Sequence, residues 1–293
     1  MIFGLPEEEY FASGHNACAG CGLAIAIRIA LKAAGKNIIV VNATGCSEVV
    51  SSLYPLTSWK IPWIHSAFQN APAVASGIKE ALEYSKKDTK VIVFGGDGAL
   101  FDIGFGALSG ALERGHDITY ICLNNGAYQN TGYQRSGATP KFAYTSTAPA
   151  GSKVLGKRER VKPLLDIVIA HGIKYAATAG IHDVIDLYKK VKKAVDHKGP
   201  SYVELFCPCV PGWKINSANT TIISDLAVKT RFYPLIEFDG KYHLKQIEKT
   251  SNIEEFLRLQ GRFKHVLKNR EILEEIKRDL EENYQKYRKL SEN

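Results

Sequence analysis

Two short stretches carry residue types that can bind a phosphorylated ligand together with its cation. Gly95-Gly96-Asp97-Gly98 closes an apolar run, Lys90–Gly95, and Asn124–Asn125 follows a second, Ile118–Leu123. Twenty-five residues separate Gly98 from the asparagine pair. Asp97 offers an anionic oxygen and Asn125 a neutral amide oxygen. These are the hard donors Mg²⁺ prefers when phosphate oxygens and water complete its shell. Gly96 and Gly98 have no side chain to keep backbone N–H groups away from a diphosphate, and a helix starting near Ile103 would add a favourable dipole. A lone Gly-Asp-Gly is usually just a tight turn. Here the strand before it, the helix after it and the asparagine pair at this spacing point to a ligand site.

The second chemical signal is sulfur. The chain has six cysteines, at 18, 21, 46, 122, 207 and 209. Cys18-Ala19-Gly20-Cys21 is a C-x-x-C just before an apolar helical run, a pattern open to zinc, a redox dithiol or an iron–sulfur ligand pair. Cys46 follows a strand, within Ala43-Thr44-Gly45-Cys46-Ser47, and Cys207 and Cys209 flank Pro208 at the end of another. Strand ends of a parallel sheet share one edge, so these distant cysteines can meet. Four thiolates suit Zn²⁺ or an iron–sulfur cluster. Cys122, inside the apolar ITYICL, reads as an inert buried residue, and one of Cys207 and Cys209 is surplus to a set of four.

Alternating strands and helices must position these groups. The periodicity predicts helices over Leu23–Ala34, Asn70–Ser85, Ile103–Arg114, Lys162–His171 and Ile181–Ala194. It predicts strands over Asn37–Asn42, Lys90–Gly95, Ile118–Leu123 and Ser201–Cys207. Continuous apolar strands alternating with helices imply an α/β fold: a doubly wound, mainly parallel sheet with helices on both faces. From about Pro211 the pattern changes. Residues 213–250 read as irregular, and residues 253–290 as one or two amphipathic helices with Leu273, Ile276, Leu280, Tyr284 and Tyr287 on one stripe. The expected organisation is a ligand-binding domain over 1–212 and a C-terminal extension over 213–293. The extension packs either on its own domain or on a partner subunit.

Composition bounds the rest. The chain has 293 residues, a hydrophobic fraction of 45% and a charged fraction of 23%, which fits a globular protein and not a disordered one. Lys plus Arg exceed Asp plus Glu by 38 − 30 = 8. That balance favours anionic ligands or acidic partners. The basic residues are scattered without interleaved aromatics, so no nucleic-acid module is expected. No apolar run reaches the ~20 residues a membrane span needs. The N-terminal MIFGLPEEEYF lacks a secretory pattern, so a cytoplasmic, reducing setting is expected, where clustered cysteines point to a metal or redox site.

Taken together, the Gly-Asp-Gly/Asn pair resembles the thiamine diphosphate enzyme motif, and with the cysteines the chain resembles the β subunits of the 2-oxoacid:ferredoxin oxidoreductases, pyruvate:ferredoxin oxidoreductase above all. The matching stretches are Gly14-His15 with CAGCG, ATGCSEVVSSLYPLTSWKIPWIH, FQNAPAVASG, GGDGALFDIGFGALSGALERGH, NNGAYQNTGYQRSGATP, PCVPGW, LAVKT and LRLQGRFKH, spread over roughly residues 10–265. The resemblance implies a thiamine diphosphate-binding fold. It implies Mg²⁺ on Asp97, Asn125 and the Ala127 carbonyl, and a cofactor bed that includes Gly45, Cys46, Ser47, Gly96, Gly98 and Thr131. Asn130 and His65 are implied near the reacting centre, with a structural histidine as the other reading of His65. It also implies one 4Fe–4S cluster on Cys18, Cys21, Cys46 and Cys209, because the family usually has a non-cysteine residue where Cys207 stands. The family often reads Asp-Asn-Glu-Ala-Tyr-Met-Asn where this chain reads Asn-Asn-Gly-Ala-Tyr-Gln-Asn, so Asn124, Gly126 and Gln129 depart from it.

The implied activity is oxidative decarboxylation of pyruvate with coenzyme A to acetyl-CoA and CO₂, with electrons passing singly to ferredoxin. The implied partners are an α subunit carrying the pyrimidine-binding domain, and γ and ferredoxin-like δ subunits. Lys141 and Lys157 read as a solvated basic face, with a coenzyme phosphate anchor as the other reading. Competing functions are the same chemistry on branched-chain 2-oxoacids, 2-oxoglutarate or oxalate, a non-redox thiamine-dependent decarboxylase, and a non-enzymatic zinc scaffold.

Overall fold

The computed structural model describes residues 4–151, 154–248 and 251–292. The chain enters through helix α1 (Gly22–Ala34), strand β1 (Ile38–Ala43) and the short helix α2 (Cys46–Val49). β2 (Trp63–Ser66), α3 (Ala71–Tyr84) and β3 (Lys90–Gly96) follow. A π-helical turn, Gly98–Ile103, leads into α4 (Phe105–Glu113) and β4 (Ile118–Asn124). After a long loop come α5 (Leu164–Ala170), β5 (Tyr175–Gly180), α6 (Val184–Asp196) and β6 (Ser201–Phe206). The chain ends with α7 (Val210–Trp213), α8 (Thr220–Lys229), β7 (Ile236–Phe238), β8 (Tyr242–Leu244), α9 (Ile253–Arg258) and α10 (Arg270–Glu292).

The strands form one sheet in the order β2-β1-β3-β4-β6-β5-β7-β8. The pairings from β2 through β5 are all parallel, and β7 and β8 join antiparallel at the far edge. This is the doubly wound α/β fold that the strand composition predicts. Successive residues of each strand feed opposite faces, as the pleat requires. Val40, Ile92, Phe94, Ile121, Leu123 and Val203 pack with α1 and α6. Val41, Val91, Val93, Tyr120 and Tyr202 pack with α3, α4 and α5 on the other side. Each such side chain, fully buried, contributes about 1.5–3 kcal/mol.

Several elements differ from the sequence reading. β2 and β5 are strands that periodicity did not mark. β5 reads YAATAG, whose small residues carry no β-branched run, yet it is buried between β6 and β7. The stretch read as irregular after Trp213 contains helix α8 and the β7–β8 hairpin. The stripe on α10 packs on its own chain: Ile276 joins Phe142, Trp213 and Phe256, while Tyr287 reaches the α3/α4 layer.

Parallel pairing brings the carboxyl ends of β1, β3 and β4 to one edge, the edge where such sheets bind ligands. Ala43, Gly96 and Asn124 end these strands, so the loops starting at Thr44, Asp97 and Asn125 share one crevice. Pairing continues past β6, where the Cys207 amide donates to the Asn124 carbonyl at 2.8 Å. The second cysteine segment therefore leaves the sheet beside the asparagine loop.

Candidate functional site

The crevice is a cavity of about 230 Å³. Its lining includes Gly45, Cys46, Ser47, Gly96, Asp97, Gly98, Asn125, Ala127, Asn130 and Thr131. Residues spread over almost ninety positions of sequence are thus gathered by three strand ends. Asn130 and Thr131 are exposed at the mouth, while Asp97 and Asn125 lie buried at the floor. The helical segment begins at Gly98, five residues before the expected start near Ile103, so its first turn lies on the cavity wall.

Asp97 is the best-held group. Its Oδ1 accepts the Asn125 amide at 3.2 Å, and its Oδ2 accepts the Ser136 hydroxyl at 2.5 Å. Burial pushes its carboxyl up to about 7; the bonds from Ser136 and Asn125 oppose the rise, and Asp102 adds to it. The Asn125 side-chain oxygen points at two further oxygens, Ala127 O at 2.8 Å and Asp97 Oδ1 at 3.0 Å. A half-turn of that amide would put its NH₂ there and make two hydrogen bonds. With its oxygen inward, Asn125 would offer a cation a hard donor beside the Asp97 carboxylate and the Ala127 carbonyl. Octahedral Mg²⁺ at 2.0–2.1 Å puts adjacent ligand oxygens about 2.9 Å apart. The carboxylate, amide and carbonyl therefore fit magnesium, and a cation there would restore Asp97 to its ionised form.

The loop geometry holds this face in place. The Asn125 carbonyl is turned away, accepting from Gln129 Nε2 at 2.8 Å and Trp213 Nε1 at 2.7 Å. Gly126 then takes φ +69°, a conformation that costs a side-chain-bearing residue and costs glycine little. Departure from the family's usual glutamate at Gly126 thus supplies the turn that aims Asn125. Asn124 faces the other way, donating to the buried Glu204 at 2.8 Å.

His65 stands one layer back on β2. Its Nε2 is 2.7 Å from Thr44 Oγ1, and its Nδ1 is 3.9 Å from Glu48. It reaches the cavity through Thr44, which lines the wall. A structural role for His65 fits as well, with the Thr44 hydroxyl as its partner.

The cysteines divide as two groups. Cys122 and Cys207 are fully buried, and Cys207 belongs to the apolar core under α1. Cys18 is exposed, and Cys21, Cys46 and Cys209 are partly so. Burial pushes Cys46 up to about 12, and the negative fields of Cys209, Cys21, Asp97 and Cys18 add to it. Cys209 is likewise raised to about 12 by burial, opposed by the Gly212 amide and reinforced by Cys21 and Cys18. The two groups of loops touch directly: the Gly22 amide donates to Pro208 O at 3.3 Å, and a methyl group on Gly22 would lie 2.9 Å from that oxygen. So Cys18, Cys21, Cys46 and Cys209 feel one another, and Cys46 also lines the Asp97 cavity. Among the described residues no three His, Cys, Asp or Glu side chains converge on one point as ligands of a lone ion would. A cubane binds each thiolate at a different iron, so its ligands stand farther apart than those of a single zinc. Four thiols within reach of one another's fields are a donor set that fits a 4Fe–4S cluster.

Two lysines correct the sequence reading. Lys157 is buried, donating to Thr139 O at 2.6 Å and Arg160 O at 3.2 Å, and is not part of a solvated face. Lys141 is paired with Glu275 and Asp279 on α10. A larger cavity of about 550 Å³ opens beside α10, around Glu204 and Tyr233; Asn124 and Gly126 line it, but Asp97, Asn125, Ala127 and the cysteines do not. Sequence reasoning missed Ser136, Gln129 and Trp213, which orient the floor of the site. They lie inside the quoted stretches NNGAYQNTGYQRSGATP and PCVPGW, but what they hold is four to eighty-eight residues away, so these contacts are not read from the motifs.

Comparison with known proteins gives the family. Residues 43–205 match the family described as thiamine pyrophosphate enzyme, C-terminal TPP binding domain. The chain is 48% identical to pyruvate synthase subunit PorB of Methanocaldococcus jannaschii, over 91% of this chain and 93% of that protein. It is 42% identical to ketoisovalerate oxidoreductase subunit VorB of Pyrococcus furiosus, over 98% and 95%. Among solved structures it resembles the 2-oxoglutarate:ferredoxin oxidoreductase of Magnetococcus marinus, determined with 2-oxoglutarate, coenzyme A and succinyl-CoA bound. That match has a TM-score of 0.60, 25% identity, and coverage of 71% of this chain and 70% of that one.

Proposed function

The chain belongs to the family of pyruvate synthase subunit PorB, the thiamine-binding subunits of heteromeric 2-oxoacid:ferredoxin oxidoreductases, and within that family we propose pyruvate as its substrate and a division of labour among its residues. The single observation that carries the reading is that Asp97, Asn125, Ala127 and Cys46 line one cavity. Bound thiamine diphosphate supplies the electron sink for decarboxylating a 2-oxoacid, and a bound 4Fe–4S cluster accepts electrons one at a time.

Asp97 Oδ1, Asn125 Oδ1 and Ala127 O hold Mg²⁺. Ser136 and the Asn125 amide keep Asp97 aimed at it. Gly45, Cys46, Ser47, Gly96, Gly98 and Thr131 line the bed of the diphosphate, where Gly96 and Gly98 let backbone amides approach. Asn130, at the mouth, is placed to meet the substrate, and His65 orients Thr44 on the wall beside it. Cys18, Cys21, Cys46 and Cys209 hold the cluster, with Cys207 left in the core.

An incomplete mouth supports a partner subunit. Tyr54 is 97% and Leu56 74% exposed, with Val49, Leu53 and Ile64 also exposed next to Cys46 and His65 in the chain. Apolar side chains grouped this way mark an interaction surface, and an α subunit bringing the pyrimidine-binding half of the thiamine site suits it. Coenzyme A, γ and ferredoxin-like δ subunits and ferredoxin complete the proposed system. Among the described residues no helix is long and apolar enough to cross a membrane.

The VorB match favours a second reading, a branched-chain 2-oxoacid as substrate. Purifying the native complex anaerobically, analysing its iron, sulfide and thiamine, and assaying a panel of 2-oxoacids with ferredoxin separates the two. Pyruvate giving the highest kcat/KM upholds the proposal. A higher value for 3-methyl-2-oxobutanoate replaces the substrate, and absence of thiamine or iron overturns the cofactor roles.

A further inference from the structure

Arg262 lies in the loop before α10 and is 2% exposed. Among the described residues no carboxylate pairs with it. Its Nε donates to the Gln260 amide oxygen at 3.0 Å, and its Nη2 is buried with no partner. The guanidinium lies 3.6 Å above the Trp213 ring, stacked flat as arginine can be and lysine cannot. Leaving one member of a would-be ion pair alone in the interior costs several kcal/mol, so this cation needs a reason to be there.

Its surroundings supply one. Trp213, beneath it, accepts its position from both halves of the site: its Nε1 donates to Asn125 O at 2.7 Å, and its backbone amide donates to Cys209 O at 3.0 Å. On the other side, the Arg262 Nη1 lies 3.1 Å from where a Cβ on Gly126 would be. The guanidinium is therefore wedged between the magnesium loop and the turn that bears Cys209. Burial lowers its pKa to about 9, while the fields of Cys209 and Asp97 oppose the shift, so it stays cationic at neutral pH.

We propose that Arg262 is a positioning residue for charge: a fixed buried cation that raises the reduction potential of the cluster on Cys18, Cys21, Cys46 and Cys209. The inference rests on the cluster assignment made above. Adding one electron makes the cluster more negative by one charge. A positive charge nearby in a medium of low dielectric stabilises that reduced form over the oxidised one, and net charge and local hydrogen bonds are the levers that set such potentials. The step needs no co-reactant beyond the electron the decarboxylation delivers.

The test is an EPR-monitored redox titration of the anaerobic holo-complex. Iron and acid-labile sulfide serve as loading controls, and a C209S complex identifies which signal belongs to this chain. R262M and R262Q should keep the cluster and reduce less readily, with the reduction equilibrium constant at least tenfold lower, about 59 mV for one electron. R262K, titrated at pH 6 so that the buried lysine holds its proton, keeps the charge and loses the stack, and should stay within threefold of the wild-type protein. An unchanged potential in R262M or R262Q overturns the proposal, as does an R262K potential that falls with theirs. If R262M and R262Q both lose the cluster, R262K retaining it at the wild-type potential supports a charge role, and R262K losing it too overturns that role. A wild-type complex with no signal removed by C209S fails earlier, at the cluster assignment.

Discussion

The side-chain oxygen of Asn125 lies 3.0 Å from Asp97 Oδ1, two acceptors face to face on a buried floor. Hydrogen bonding favours the half-turned amide there; with its oxygen turned in, the Asn125 amide, the Asp97 carboxylate and the Ala127 carbonyl, 2.8 Å away, offer magnesium three hard donors. One charged, one amide and one carbonyl donor leave the remaining positions for phosphate oxygens and water. That division explains why one aspartate is enough.

Removing that charge should empty the site. D97N is expected to weaken magnesium–thiamine diphosphate binding by more than a hundredfold in calorimetry, with iron content unchanged. S136A removes one hydrogen bond to the carboxylate, worth about 1.5–3 kcal/mol for a charged acceptor. It should weaken binding by roughly ten- to a hundredfold and leave the fold intact. Equal, small effects of the two substitutions would deny Asp97 its role as metal ligand.

The two cysteines beside Pro208 should behave oppositely. Cys209 shares the field of Cys18, Cys21 and Cys46, whereas Cys207 is sealed in the apolar core. C209S is expected to cost most of the cluster's visible absorbance and iron. C207S should keep both and lower stability by about 1–3 kcal/mol, the cost of placing a hydroxyl without a partner there. The reverse order of iron loss would reassign the fourth ligand.

Gly22 joins the C-x-x-C turn to the Cys-Pro-Cys turn, since a Cβ there meets Pro208 O at 2.9 Å and Cys207 C at 3.0 Å. All its close neighbours are backbone atoms and cannot swing aside. G22A should cost about 1–3 kcal/mol by overpacking and lower iron occupancy, because Cys21 is displaced from Cys209. Full iron at unchanged thermal stability would show that the two turns need not touch.

The N-terminal strap offers a pH test. Arg28 donates to Glu9 at 2.9 Å and, with Lys32, holds its carboxyl down at about 2. A depressed acid stabilises the fold at pH values above its unfolded pKa, and that contribution is lost as pH falls from about 4.5 through about 2. Glu9 is near the surface, so the amount is about 1 kcal/mol or less. The denaturation midpoint of E9Q should fall below wild type at pH 6, with the gap narrowing toward pH 2.5 and closing below pH 2. A gap that does not narrow would contradict the pairing.

The chemistry was legible in the sequence because it sits in tight turns at strand ends. Gly96, Asp97, Gly98 and Asn125 announce themselves by type and spacing, and the resemblance adds Ala127, Asn130 and Gly45 to the same wall. What escaped is whatever acts at a distance along the chain. Ser136 is thirty-nine residues from Asp97, and Trp213 eighty-eight from Asn125. Only the folded sheet reveals that they touch. β5 escaped because its alanines have little strand preference, and burial between β6 and β7 decides its conformation in place of local propensity. Cys207 against Cys209 could not be settled from spacing, since residues two apart share a face of an extended strand, and it is the turn after β6 ends at Phe206 that sends one thiol to the core and the other outward.

The most direct measurement is reduction of the cluster by substrate, followed by EPR in the anaerobic holo-complex of wild type and D97N. If the oxygen face and the thiols serve one electron path, pyruvate reduces the cluster in the wild-type complex. In D97N pyruvate leaves the cluster oxidised, while dithionite still reduces it. Pyruvate reducing the D97N cluster at the wild-type rate would contradict the account.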